Sequence, residues 1–263
     1  MSELNFVTVG DGTRIAYRLD GDANKPALVL SNSIGTTLHM WDDQIESLSK
    51  HFRVLRYDFR GHGGSSVPVG AYSLDRLGRD VIELFDALGI KRAHFLGLSL
   101  GGFVGQWLGI HTPERIDRLI LSNTSTYLGP PEAFAARISG VLEAPDMSET
   151  AEAFLANWFP ARMLAANGPV VEKFRAMLRS IDQRGLAGLY AAVRDMDLRR
   201  TIALISRPTL VIAGQHDTVT ALSHSEYIAT TVPGAKLVVL PAVHLSNVEY
   251  PGEFMEAVLG FLR

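Results

Sequence analysis

Residues 97–101 read Gly97-Leu98-Ser99-Leu100-Gly101, and this G-x-S-x-G pentapeptide constrains the chain more than any other feature. It lies between a short apolar run, residues 93–96, and a glycine-punctuated amphipathic segment opening with Gly102-Phe103-Val104. Glycines on either side let a strand turn sharply into a helix without a side-chain clash. The spacing therefore predicts a strand, a tight elbow and a helix, with the Ser99 hydroxyl projecting from the apex. The start of that helix offers free backbone N–H groups and a positive dipole end, both suited to a developing oxyanion. Ser99 becomes a nucleophile only if the chain also supplies a base and a group to orient it.

Around this elbow the rest of the chain alternates. Residues 4–9 and 13–19 alternate apolar and polar on either side of Gly10-Asp11-Gly12, the pattern of a β-hairpin. The continuous apolar run at 27–30 reads as a strand buried on both faces, and 52–57, 94–96, 116–121, 209–213 and 236–240 read as further strands. Helical spacing occupies 41–48, 74–88, 100–111, 222–230 and 253–262, with Gly89 stopping the second of these. Residues 125–195 break the alternation. They carry no strand-like run, only Ala-, Phe-, Leu- and Arg-rich helical stretches interrupted at Pro130-Pro131, Pro145, Pro160 and Gly168-Pro169. The expected architecture is α/β: a mostly parallel sheet covered on both faces, interrupted by a helical insertion. No internal repeat or linker is visible.

Composition removes several alternatives. With 263 residues, 47% hydrophobic and 20% charged, the chain can bury a large core, as one large α/β domain or two small ones. A net charge of −3 gives no sign of nucleic-acid or anionic-membrane binding. The absence of cysteine excludes disulfides, thiolate metal sites and a Cys nucleophile. Residues 93–113 lack charge, but five glycines, two histidines, a glutamine and a proline mark them as strand, elbow and helix rather than a membrane span. Met1-Ser2-Glu3-Leu4-Asn5 lacks the pattern of a signal peptide, so a soluble cytoplasmic protein is expected.

A base and an acid stand where the elbow needs them. Asp217, in Gly214-Gln215-His216-Asp217-Thr218, follows the run 209–213; His244, in Pro241-Ala242-Val243-His244-Leu245, follows 236–240. Ligands of open α/β sheets bind beyond the carboxyl ends of the strands, where Ser99, Asp217 and His244 all fall. Each residue also has a plainer reading: Ser99 as a turn residue, Asp217 as a helix cap, His244 as a hydrogen-bonded surface histidine. Asp195 and Asp197 are rival acids, but they precede the strand. His51, His94, His111 and His224 carry no chemical role in this reading, and His216 is a turn residue at the rim. Two backbone N–H groups should bind the oxyanion: Leu100, directly after the serine, and Ile34, in the loop after the run 27–30.

At these residues the chain resembles the α/β-hydrolase fold family along nearly its whole length. Ser, Asp, His is that family's chain order, and Asp58-Phe59-Arg60-Gly61-His62-Gly63-Gly64-Ser65 resembles its D-x-R-G-x-G-x-S segment, read here as structural. The resemblance implies an eight-stranded, mostly parallel sheet with helices on both faces, a core formed by residues 1–124 and 196–263, and a helical cap at 125–195. Many members carry His-Gly where this chain has Asn32-Ser33. The longer run Ser31-Asn32-Ser33-Ile34-Gly35-Thr36-Thr37-Leu38-His39-Met40-Trp41 looks like a narrower group, the 3-oxoadipate enol-lactonases, and so do Asn157-Trp158-Phe159-Pro160 and residues 193–199.

That group implies hydrolysis of a cyclic enol ester to 3-oxoadipate in aromatic catabolism, on a small-molecule substrate, with no cofactor or metal. Homo-oligomerisation is left open. The competing readings are another carboxylesterase, a C–C bond hydrolase of ring-cleavage products, and a non-catalytic ligand-binding member of the fold. The implied substrate carries a free carboxylate, for which a guanidinium is the best donor. The insertion offers Arg137, Arg162, Arg175, Arg179, Arg184 and Arg194. Arg162, spaced one helical turn from Trp158, is the first candidate; Trp158 is either a packing residue or a wall of the site.

Overall fold

Period-two alternation within the apolar runs decides how the sheet is buried. In the computed structural model, which describes residues 3–263, β3 (Ala27–Ser31), β4 (Arg53–Tyr57), β5 (Ala93–Leu98), β6 (Ile116–Ser122) and β7 (Thr209–Gly214) lie at the centre. Met1 and Ser2, part of the N-terminal segment read above, lie outside the described residues. Val29, Leu55, Phe95, Leu119 and Val211 turn to one face. Leu28, Leu30, Val54, Leu96, Ile120 and Ile212 turn to the other. Strands with neither face in water need no polar alternation, which is why residues 28–30, 119–121 and 210–213 are uninterrupted apolar stretches.

β1 (Asn5–Thr8), β2 (Arg14–Asp20) and β8 (Lys236–Leu240) complete eight strands in the order β1-β2-β4-β3-β5-β6-β7-β8. β2 pairs antiparallel with β1 and β4, and every other pairing is parallel. α2 (Leu74–Ala87), α3 (Leu100–His111) and α9 (Leu222–Thr231) cover the first face through Leu77, Val81, Phe103, Val104 and Ile228. α1 (Asp42–Ser49) and α11 (Pro251–Leu262), which follows the short α10 (Ser246–Glu249), cover the second through Leu48, Phe254 and Val258. Local chemistry sets the helix starts. The Ser73 hydroxyl accepts the Arg76 N–H at 3.1 Å to cap α2, and Pro251 opens α11, where a missing N–H costs nothing.

Between β6 and β7 the described chain forms α4 (Pro131–Glu143), α5 (Ser148–Trp158), α6 (Ala161–Ala166), α7 (Pro169–Arg179) and α8 (Gln183–Asp195), with no strand. The breakers in the sequence fall at their ends: Pro131 opens α4, Pro160 precedes α6, and Gly168-Pro169 opens α7. Backbone hydrogen bonds tie the segment to the sheet region, from Tyr72 N–H to Gly188 O at 3.1 Å and from Leu198 N–H to Thr126 O at 2.9 Å. Among the described residues, no helix is long and apolar enough to cross a membrane.

The Asp58–Ser65 segment is a clamp. One Asp58 carboxylate oxygen accepts the Leu38 N–H at 2.6 Å and the other the Gly64 N–H at 2.9 Å. The Ser65 hydroxyl donates to Asp58 O at 2.8 Å and accepts the Ala16 N–H at 2.9 Å. The Arg60 guanidinium forks onto Asp80 at 2.6 and 2.7 Å and also reaches Asp11 at 2.8 Å. These bonds hold the loop after β3 and the loop after β4 side by side.

Candidate active site

Ser99 joins β5 to α3 with φ +57°, ψ −114°, a conformation that a side chain bearing Cβ adopts only under constraint. The constraint is visible. Ser99 N–H donates to Ser122 O at 3.0 Å, and the Ser99 carbonyl accepts the Thr124 hydroxyl at 2.8 Å. Both flanking glycines are forced by close approach. A Cβ on Gly97 would lie 2.1 Å from Gly101 O, and one on Gly101 would lie 2.2 Å from Ser31 O.

His244, 1% exposed, follows β8, and its Nδ1 is 2.8 Å from Asp217 Oδ2. Asp217 follows β7, and its carboxylate is saturated with donors: Val219 N–H at 2.8 Å, Thr220 N–H at 3.0 Å, Thr220 hydroxyl at 2.7 Å and Asn123 side-chain amide at 3.1 Å. Burial alone would raise its pKa. The positive charge available to His244 and the hydrogen bonds, from His244, Thr220 and Asn123, outweigh burial and hold the carboxyl well below the usual carboxylate range. Asp217 is therefore an anion at any ordinary pH, suited to fix the imidazole's orientation and to stabilise its cation.

The loop after β3 brings a second set of donors. Ser33-Ile34-Gly35-Thr36 forms a turn closed by Thr36 N–H to Ser33 O at 3.2 Å, with Gly35 at φ +80°, the left-handed position a type II turn demands. Gly35 N–H donates to His62 Nε2 at 3.1 Å. Asn32 anchors the loop from behind: its side-chain Oδ1 accepts Trp41 Nε1–H at 2.9 Å, and its side-chain Nδ2 donates to Tyr57 O at 2.8 Å. Gly101 N–H donates to Asn32 O at 2.9 Å, joining this loop to the first turn of α3. Among the described residues the N–H groups of Ile34 and Leu100 have no protein acceptor.

Ser99, His244, Ile34 and Leu100 line one cavity of about 630 Å³. Its remaining walls come largely from α4, α5 and α8, through Phe134, Arg137, Val141, Phe154, Trp158 and Tyr190. An apolar chamber with a serine, a histidine backed by a carboxylate and two free N–H groups can activate a hydroxyl, receive an oxyanion and exclude bulk water.

The fold and sequence have relatives among known proteins. The family model for the α/β hydrolase fold matches residues 26–251. The chain belongs to the α/β-hydrolase fold family. It is 41% identical over 247 residues to 3-oxoadipate enol-lactonase 2 of Acinetobacter baylyi, covering 94% of this chain and 92% of that protein. A hydrolase of known structure from Pseudomonas aeruginosa PA01 is 64% identical, with a TM-score of 0.98 over 99% of this chain and 98% of that one. The enol-lactonase from Burkholderia xenovorans LB400 is 40% identical, with a TM-score of 0.95 over 98% of this chain and 99% of that one.

In this α/β hydrolase the residues picked out from the sequence separate into two groups. Ser99, His244, Ile34, Leu100 and Trp158 surround the cavity, with Asp217 directly behind His244. Trp158 is both wall and packing residue: it is 1% exposed, with ring centroids 4.9 Å from Phe154 and 6.1 Å from Phe174. Arg162 is a correction. It is not among the cavity's lining residues; its guanidinium bonds Glu249 Oε1 at 2.6 Å. The spacing argument assumed one helix through Trp158 and Arg162, but α5 ends at Trp158 and a new helix begins after Pro160. Asp195 and Asp197 are exposed and pair with Arg194 and Arg199, and His216 is exposed.

Three positioning residues lay outside the sequence argument. Asn123 (φ +43°) donates to Asp217 and to Val243 O and accepts the Ser246 hydroxyl at 2.6 Å. An Asn directly after a strand, able to take the left-handed conformation, was its only signal. Thr220 and His62 left none beyond their neighbourhood.

Proposed function

We propose that this protein is a serine hydrolase that opens 3-oxoadipate enol-lactone to 3-oxoadipate, with Ser99 as nucleophile, His244 as base and Asp217 as the acid orienting it. Residues 125–195 serve as the cap that closes the site. One observation carries the reading: Ser99, in its strained elbow, shares a cavity with a histidine whose far nitrogen is held by a buried carboxylate. The likeness to proteins named enol-lactonases supports the substrate.

The chemistry follows from the placement. His244 takes the Ser99 proton as the hydroxyl oxygen attacks the lactone carbonyl. The tetrahedral oxyanion is received by the N–H groups of Ile34 and Leu100. Collapse expels the ring oxygen as an enolate, which gains a proton and tautomerises to the ketone. An enolate leaves more readily than an alkoxide, so its protonation matters less. Water deprotonated by His244 then cleaves the acyl-enzyme and restores Ser99.

The test is loss of enol-lactone absorbance with purified enzyme, run beside p-nitrophenyl esters and dienone acids from ring cleavage. Enol-lactone is expected to show the highest kcat/KM. Ser99→Ala should lower kcat by at least about a thousandfold while the protein stays folded. Preference for the simple esters or the dienone acids would replace the substrate, and an active Ser99→Ala variant would remove the nucleophile.

A further inference from the structure

The proposed substrate keeps a free carboxylate beside its lactone ring, and burying that charge in an apolar chamber is costly without a matched donor. The six arginines of residues 125–195 are not equally available. Arg162 is held by Glu249 at 2.6 Å, Arg184 by Asp182 at 2.7 Å and Arg194 by Asp195 at 2.6 Å. Arg175 bonds Glu152 at 2.7 Å and Glu172 as well, and Arg179 approaches Glu152 at 3.7 Å. Arg137 differs on two counts. Among the described residues its side chain has no ion pair or hydrogen bond, and it lines the cavity that holds Ser99 and His244.

We propose that Arg137 receives the substrate's free carboxylate and so makes the site selective for anionic esters. This rests on the reading of the cavity as an ester-hydrolase site. The Arg137 guanidinium lies over the Phe134 ring, 4.8 Å from its centroid, one turn earlier on α4. Phe134 is itself buried and packs edge-on against Tyr190 at 6.0 Å. A guanidinium resting on a fixed aromatic face keeps its in-plane N–H fork free for a bidentate carboxylate. Arg137 and Glu149 are the two Asp, Glu, Lys or Arg side chains on the cavity wall, and they form no ion pair. Glu149 repels an incoming carboxylate, which leaves the Arg137 side as the place for it.

The experiment compares the p-nitrophenyl hemiester of adipic acid, whose carboxylate is too distant to attack its own ester carbonyl readily, with p-nitrophenyl hexanoate, alongside the enol-lactone, each rate corrected for uncatalysed hydrolysis. The readout is the ratio of kcat/KM for the anionic ester to that for the neutral one, which cancels general damage to Ser99 or His244. Arg137→Met should lower this ratio about ten- to hundredfold, through KM, with the same drop for the enol-lactone. Arg137→Lys should restore part of it, and Glu149→Gln should raise it. Arg162→Met, which removes a guanidinium held by Glu249 and outside the cavity's lining, should leave it unchanged. An unchanged ratio in Arg137→Met, or an equal fall in Arg162→Met, overturns the assignment. A wild type that ignores enol-lactone but still shows the Arg137-dependent ratio refutes the substrate while keeping the anion site.

Discussion

Lowering the pH is expected to destabilise the fold through one buried histidine. His62 is fully enclosed, accepts the Gly35 N–H at Nε2, and leaves Nδ1 without a partner. Burial pushes its pKa from 6.5 down to about 4. The sign follows from proton counting: between those values the unfolded chain binds a proton that the folded chain refuses, so stability is present above pH 6.5 and is lost as pH falls toward 4. At pH 5 the linkage amounts to about 2 kcal/mol relative to pH 7.5. His94 and His224, also depressed by burial, act in the same direction, whereas Asp217 stays ionised throughout this window.

The assay must separate His62 from these others. His62→Gln keeps an acceptor near the Nε2 position for Gly35 but cannot titrate. Urea unfolding of both proteins at pH 7.5 and 5.0 gives a double difference in which His94 and His224 cancel. The wild type should lose about 2 kcal/mol more than the variant over this interval. A double difference below about 0.5 kcal/mol refutes the argument. Activity should report the same event, because a proton on Nε2 removes the acceptor that holds the Ile34–Gly35 turn. The wild type should then lose kcat at acid pH sooner than His62→Gln does.

Three further outcomes follow from the site and its supports. Asp217→Asn should lower kcat on enol-lactone by about ten-thousandfold, since an amide favours the wrong imidazole tautomer and cannot balance the cation; Asp195→Asn, which removes an exposed partner of Arg194, should leave kcat within about twofold, and equal losses in the two would refute the acid assignment. Gly185→Ala should destabilise despite alanine's helix preference of up to about 1 kcal/mol, because its Cβ would lie 2.1 Å from Gly61 O; overpacking of this kind costs about 1–3 kcal/mol, and a raised Tm would show the contact to be soft. Asn123→Ala should reduce kcat far more than it changes KM for either p-nitrophenyl ester, because Asn123 touches Asp217 and Val243 rather than the cavity; a KM-only effect would contradict its positioning role.

Which of these residues a sequence reader can find depends on how each is placed. Ser99, Asp217 and His244 stand at the carboxyl ends of β5, β7 and β8, so recognising the strands is enough to bring them to one edge of the sheet. The central strands were legible because burial on both faces leaves apolar stretches such as 28–30, 119–121 and 210–213, and the insertion's helices because prolines 131, 160 and 169 punctuate them. Ile34 was reachable through its place after β3. Arg162 and Arg137 show where that logic ends. Both are arginines on helices of the insertion, and choosing between them requires knowing that a new helix starts after Pro160 and that Glu249, far along the chain, lies against Arg162. His62 is hidden for the same reason, since its partner Gly35 meets it only because Asp58 clamps two loops together. Residues positioned by their own strand or turn are written locally; residues defined by which partner they lack or find, as Arg137 and His62 are, become visible only when the chain is folded. The specificity proposed for Arg137 is of this second kind: it depends on Arg137 lining the cavity while the insertion's other five arginines are paired with carboxylates.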